Sequence, residues 1–341
     1  MLNKSPVSLS RRRLVRSIPL LACGLVIPPV LAKTDIHQSS KILMGTKLEL
    51  TLQNADSQLM SFAANAAFAE MNRLTDMMSR YRSDSVLNAI NLAAGVQPVN
   101  IPGELMQVLK MAKAVALSSQ GAFDSTVGAF KNWSFDAAHP SIATPQQIAE
   151  QLPLIGSQGL VLDERRSTAY LTKRGMRLDL GGIAKLPILQ AGMKKLLELG
   201  VSNAMINGGG DVLVQGQLNG RDWRIGFRDP RHPEKLLGTI SLNKGFVASS
   251  GDYERFLIQD GKRLHHILDP KTGYPTHGPR GVTLVSENLE KINGLGTAIM
   301  VSGAQAGRIK IQQLAGVDAL IVDRDNQLWT SHGMARRLIA A

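Results

Sequence analysis

Apolar and polar residues alternate from Lys41 to Gln53, with Ile42, Met44, Leu48, Leu50 and Leu52 on one side. That period of two predicts a strand half-buried against a core. From Ser57 to Arg80 the period lengthens, and Leu59, Phe62, Ala63, Ala66, Ala67, Met71, Leu74 and Met78 fall on one helical face. A second helix is predicted over Pro102–Ser119, and a short one from Thr144-Pro145-Gln146-Gln147, a capping-box start, to about Leu152. Short strands follow at 159–163, 168–172 and 176–180. Ile183, Leu186, Leu189, Met193, Leu196 and Leu197 then recur at helical spacing up to Gly200. Strands are predicted at 203–206, 212–217, 222–227, 238–242 and 246–249, with turn lengths that favour antiparallel pairing. A last helix opens near Glu290.

The central stretch is Arg177-Leu178-Asp179-Leu180-Gly181-Gly182-Ile183-Ala184-Lys185, a strand that stops at a glycine pair and opens into a helix. Glycines there let a phosphate approach free backbone N–H groups, and Lys185 adds positive charge. Asp179 stands just before the turn, where loops commonly carry ligand-binding side chains. The spacing is neither that of a P-loop nor G-x-G-x-x-G. On its own the stretch reads first as a tight strand–helix turn with an exposed Lys.

Other segments keep it company in a fixed order. They are Met44-Gly45-Thr46, Arg80-Tyr81, Gly121-Ala122-Phe123-Asp124, Asn207-Gly208-Gly209-Gly210-Asp211, Ser249-Ser250-Gly251-Asp252-Tyr253-Glu254-Arg255 and His265-His266-Ile267-Leu268-Asp269-Pro270. In this order and spacing the set resembles that of the ApbE-like flavin transferases, the FAD:protein FMN transferases, from about Met44 to Gly303. The resemblance implies a single mixed α+β domain over 33–341, with largely antiparallel strands and packed helices, binding FAD and Mg²⁺.

It also implies roles. Met44 and Tyr81 would touch the flavin, and Ala122, Phe123 and Asp124 would border the FAD. Asp179, Lys185, His266 and Ile267 would complete the cofactor-binding set, with Lys185 and His266 as the catalytic pair. Gly182, through its carbonyl, would bind the metal with Asn293 and Thr297, four apart and so on one helix face. The family pattern has Asp where this chain has Asn293, and K-G-Y-x-V-D where it reads Lys185-Leu186-Pro187-Ile188-Leu189-Gln190. Asn keeps an oxygen donor but not the charge that Mg²⁺ favours, so metal binding should weaken. The implied reaction attaches FMN to a Thr or Ser hydroxyl of an acceptor flavoprotein subunit and releases AMP. Its alternatives are an accessory protein that binds FAD or FMN without transfer, and an FAD hydrolase.

Composition adds limits. Apolar residues make up 44% of 341, enough for a full core, while aromatics at 4% argue against a stacking platform for single-stranded nucleic acid. The formal charge is +12, but residues 1–32 hold five Lys/Arg and no acid. The remainder carries 34 basic against 27 acidic side chains, a net of +7 spread along the chain. No nucleic-acid partner is expected, and such a surface leaves room for weak membrane association.

Residues 1–32 read as an export signal: a basic start, an apolar run from Ile18 to Ala32, and a small residue at its end. Ser10-Arg11-Arg12-Arg13-Leu14-Val15-Arg16 resembles the twin-arginine pattern and points to the periplasm. Cys23 is the only cysteine, so no intramolecular disulfide can form. Leu20-Leu21-Ala22-Cys23 resembles a lipobox, which leaves a lipoprotein anchored at Cys23 as the alternative. The adjacent His265 and His266 have no third ligand at zinc spacing, so a structural zinc is not expected.

Overall fold

The computed structural model describes residues 35–340 apart from 55 and 233. The export-signal and lipobox readings lie outside the described residues. The framework is an eight-stranded sheet: β1 (Asp35–Leu43), β2 (Thr46–Asn54), β3 (Asn203–Gly208), β4 (Asp211–Gln215), β5 (Lys244–Gly251), β6 (Gly281–Ser286), β7 (Asp318–Val322) and β8 (Leu328–Thr330). Their order in space is their order in sequence, and every neighbouring pair is antiparallel. Insertions between strands carry the helices α1 (Ser57–Met77), α2 (Val86–Leu92), α3 (Gly103–Ser118), α4 (Pro145–Gln151), α5 (Lys185–Glu198), α6 (Leu289–Ile292), α7 (Leu295–Ser302) and α8 (Ala304–Gln312), and α9 (His332–Arg337) follows β8.

Strand alternation builds a core on each face of this sheet. Leu48, Leu50 and Leu52, with Ile206, Leu213, Phe246 and Leu284, pack with α1, α3, α5 and α7. Each buried leucine contributes roughly 2 kcal/mol. Val212, Val214, Val247, Val285, Leu320 and Val322 form the second core. It is closed by Trp223, Ile225, Phe227, Ile240 and Leu242 of a separate two-stranded sheet and by Met334 of α9.

Four elements differ from the sequence pattern. The run Lys41–Gln53 is two strands, because Met44 (φ 54°) and Gly45 (φ 70°) make a two-residue hairpin turn. Both residues are left-handed, as a type I′ turn requires. Residues 176–180 form no strand, although Met176, Leu178 and Leu180 are buried. Their backbone is held by other means: Asn91 exchanges hydrogen bonds with Leu178 N–H (2.6 Å) and Leu178 C=O (3.1 Å), and Asp179 N–H donates to Ser125 C=O (2.7 Å). The next helix starts at Lys185, after a turn through 181–184. Finally, the helix expected from Glu290 is broken into α6 and α7 at Asn293–Gly294, where Gly294 takes φ 77°. Asn293 and Thr297 therefore do not share one continuous helix face. Phe62, assigned to the apolar face of α1, is 63% exposed.

Candidate active site

The site grows from the turn 181–184 between the buried segment 176–180 and α5. Asp179 braces this turn by accepting the Gly181 N–H (2.8 Å) and pairs with Arg80 (2.9 Å). The Arg80 guanidinium also lies over the Tyr81 ring, 4.9 Å from its centroid. Burial works against the charge on Arg80, but Asp179 and Tyr81 outweigh it and hold its pKa above the usual arginine value. The Tyr81 ring is left 78% exposed, an aromatic face with a cation behind it. Arg80, absent from the sequence-derived site, thus joins two residues that belonged to it.

Gly182 is closely overlooked by two neighbours. A Cβ there would lie 3.2 Å from Thr297 Oγ1 and 3.3 Å from the Phe123 ring. The same ring faces Gly294. Gly182, Phe123 and Thr297 are therefore together, with Asn293 at the break that precedes α7. Asn293 is only 3% exposed, and its NH₂ donates to Met111 Sδ (3.9 Å). Gly182 C=O, Thr297 Oγ1 and the Asn293 amide oxygen are hard donors of the type Mg²⁺ takes, but none carries a charge. Among the described residues no group of three or more His, Cys, Asp or Glu stands together as a metal cluster.

Lys185, the first residue of α5, makes a 2.7 Å ion pair with Asp211. Asp211 is itself 6% exposed and accepts the Ser249 N–H (2.9 Å). It stands where the Gly209-Gly210 turn (φ 69° and 95°) delivers β4. The triple glycine pointed to this turn, but the carboxylate behind it was not assigned a role. The β5 strand that Asp211 holds reaches α7: a Cβ at Gly296 would sit 2.7 Å from Ser250 Oγ.

His266 follows a hairpin of strands Phe256–Gln259 and Lys262–His265. Its N–H donates to Arg255 C=O (3.1 Å), and its Nδ1 lies 3.2 Å from the same oxygen. A carbonyl only accepts, so Nδ1 carries the proton and Nε2 keeps its lone pair. The residue is exposed at the surface, yet the protein around it displaces part of the ring's hydration. That desolvation pushes the imidazole down to about 4; the Arg255 carbonyl opposes it, and the charges of His265, Arg255 and Lys185 add to it. His266 is therefore neutral at pH 7. His265 is directed elsewhere, with Nε2 on Thr276 C=O (2.8 Å) and Nδ1 buried without a partner. Its pKa is also lowered, chiefly by burial.

The other sequence-derived residues divide. Met44 stands at the hairpin turn and packs against the main core. Ala122, Phe123 and Ile267 are buried at 7%, 4% and 7% exposure. Asp124 has both carboxylate oxygens engaged: Oδ1 by the Thr126 N–H (2.8 Å) and hydroxyl (2.7 Å), Oδ2 by the Ser157 N–H (2.8 Å). Its visible work is to brace a loop, and a ligand would have to compete for those lone pairs. A cleft of about 630 Å³ opens beside it, lined by Lys113, Gly121, Ser157 and Lys271 among others. Arg255 is a further residue the sequence reading left out; its guanidinium lies against the Met44–Gly45 turn, 2.8 Å from where a Gly45 Cβ would stand.

The fold and site define an α+β protein whose turns gather basic, imidazole and oxygen groups beside an antiparallel sheet. The ApbE family model matches residues 44–321, and the chain belongs to that family. It is 32% identical over 296 residues to an FAD:protein FMN transferase of Klebsiella pneumoniae, covering 86% of this chain and 91% of that protein. It is 28% identical to one of Treponema pallidum, covering 93% of each. Among solved structures, the ApbE protein of Thermotoga maritima superposes with a TM-score of 0.81 at 31% identity, covering 89% of this chain and 99% of that one. Flavin transferase ApbE from Vibrio cholerae superposes with a TM-score of 0.78 at 26% identity, covering 89% and 100%.

Proposed function

We propose that this chain is an FAD:protein FMN transferase. A Thr or Ser hydroxyl of an acceptor flavoprotein attacks the FMN-side phosphorus of FAD. The new O–P bond forms as the bond from that phosphorus to the AMP oxygen breaks, and AMP leaves with the electron pair. The observation that carries this reading is the meeting of Lys185, its partner Asp211, and a neutral His266 whose Nε2 lone pair is free. The relatives, FAD:protein FMN transferases across most of their length, support it.

Each residue has a definable task. His266 takes the hydroxyl proton on Nε2. A base with a pKa near 4 is weak, but the diphosphate charge of bound FAD would raise it toward the working range. Lys185 holds phosphate oxygens, and Asp211 fixes its ammonium in place. Tyr81 offers a ring face to the isoalloxazine, with Arg80 behind it. Met44, Ala122, Phe123, Asp179 and Ile267 shape the remainder of the pocket. Gly182, Asn293 and Thr297 would hold Mg²⁺, which when bound offsets charge on the diphosphate.

One residue favours a second reading. The neutral Asn293 suits a protein that binds FAD and does not transfer, or one that hydrolyses it to FMN and AMP. The test is the mature chain with FAD, Mg²⁺ and a family-typical acceptor domain, followed by acceptor mass and AMP release. Transfer gives an FMN-sized mass gain with stoichiometric AMP. AMP without labelling means hydrolysis, and tight FAD binding with neither product means a binding protein.

The reading extends to the cell. The basic, then apolar, residues 1–32 support export to the periplasm by the twin-arginine route, with anchoring at Cys23 as the alternative. No helix among the described residues is long and apolar enough to cross a membrane. Secretion of a reporter fused to residues 1–40, with Arg11 and Arg12 replaced by Lys, tests the route.

A further inference from the structure

We infer that Arg255 is a diphosphate-binding residue of this site and carries its uncompensated positive charge. Three observations lead there. First, its guanidinium has no hydrogen-bond or ion-pair partner among the described residues, although its backbone is doubly held by His266. Second, although the residue is exposed, its guanidinium reaches the Met44–Gly45 turn, 2.8 Å from where a Gly45 Cβ would stand. Third, its charge is felt at His266, alongside that of Lys185. Lys185 is already neutralised by Asp211 at 2.7 Å. Of the pair of cations beside the imidazole, Arg255 is the one left unbalanced.

The Arg255 backbone carbonyl is held by the neutral His266, and its unpaired guanidinium lacks an anion. The planar fork of Arg matches phosphate oxygens two at a time. Asn293, at the Gly182–Thr297 side of the site, adds no negative charge to oppose that anion. Arg255 therefore lets this chain hold a diphosphate with less help from a metal. The identity of the diphosphate as FAD rests on the transfer reading above, whereas the anion site does not.

The test is calorimetric titration of the mature chain with inorganic pyrophosphate in EDTA. The variants are Arg255→Met, Arg255→Lys and wild type, with thermal melts to check folding. The expected result is binding by wild type, a loss of tenfold or more in Arg255→Met, and partial recovery in Arg255→Lys. Binding of pyrophosphate that is equal in wild type and Arg255→Met overturns the inference, as does no binding by wild type at millimolar pyrophosphate. If Arg255→Met is unfolded, Arg255→Lys against wild type decides: a threefold or greater loss supports the clamp, and unchanged binding overturns it. The acceptor-labelling assay separates the two ideas. Arg255-dependent pyrophosphate binding without FMN transfer keeps the clamp and removes the transferase reading; transfer undiminished in Arg255→Met does the reverse.

Discussion

Two corners of the candidate site handle charge in opposite ways. At one, Gly182, Asn293 and Thr297 offer oxygens without a single formal charge, and Asn293 is sealed to 3% exposure. At the other, Lys185, Asp211, Arg255 and His266 crowd together, and the imidazole remains neutral because burial and two cations disfavour its proton. A site for a dianionic diphosphate must supply positive charge from somewhere. On the proposed reading, the difference teaches that the protein supplies much of it from side chains, and asks less of a metal than a carboxylate-bearing site would. If so, damage to the basic corner should be severe and repair of the neutral corner should be visible.

The largest effect is expected from Lys185→Met. It removes the phosphate contact and leaves Asp211, 6% exposed, without its cation. Loss of an electrostatic donor at a reacting phosphoryl group typically costs about 10²- to 10³-fold in kcat. The buried carboxylate would also cost roughly 1–3 kcal/mol of stability. The double variant Lys185→Met/Asp211→Asn separates the two: it should regain melting temperature without regaining AMP release. Recovery of turnover in the double variant would mean that Lys185 serves only to balance Asp211.

How much of this was legible beforehand depends on where the signal lay. The strand and helix periods of Leu48–Leu52 and of α1 and α5 were written in the apolar pattern, because burial alone decides them. Residues 176–180 carry the same alternation, yet their hydrogen bonds go to the Asn91 side chain and the 125–127 loop, a tertiary choice that no local period encodes. The break at Asn293–Gly294 was hidden in a glycine that four-residue spacing passes over. Asp211, Arg80 and Arg255 sat inside motifs already noticed. Their importance comes from partners 26, 99 and 210 positions away in Lys185, Asp179 and Gly45, and distance in sequence is what conceals an ion pair or a contact.

The neutral corner can be sharpened by Asn293→Asp. The added carboxylate gives the oxygen set the charge it lacks, and one charge-assisted contact corresponds to about a tenfold gain in Mg²⁺ affinity. Titrating AMP release with Mg²⁺ should show the half-maximal concentration falling by that factor. The same variant should bind pyrophosphate in EDTA more weakly than wild type, since the carboxylate repels it. A carboxylate that leaves both titrations unchanged would break the contrast between the corners. A smaller effect is expected at Arg80→Met, which removes both the partner of Asp179 and the cation behind Tyr81. Here the KM for FAD should rise roughly three- to tenfold with kcat nearly kept, since the groups hold the substrate in its ground state.

The smallest signal tests the premise that the imidazoles are held neutral. In the unfolded chain a His takes its proton as pH falls below about 6.5. In the folded chain His266 does not do so until about 4, and His265 is shifted in the same direction by burial. The unfolded state therefore binds more protons between those values, so stability from these groups is fully present above pH 6.5 and drains away as pH falls toward 4. Melting temperature should fall over that window, and the fall should be shallower in His266→Asn. Because His266 is exposed, solvent screens part of the effect, and a difference of a few degrees is expected. Added pyrophosphate should also reduce the slope in wild type, since an anion at Arg255 and Lys185 makes the imidazolium easier to form. In Arg255→Met that pyrophosphate effect should shrink, which returns the test to Arg255, on which the contrast between the corners depends.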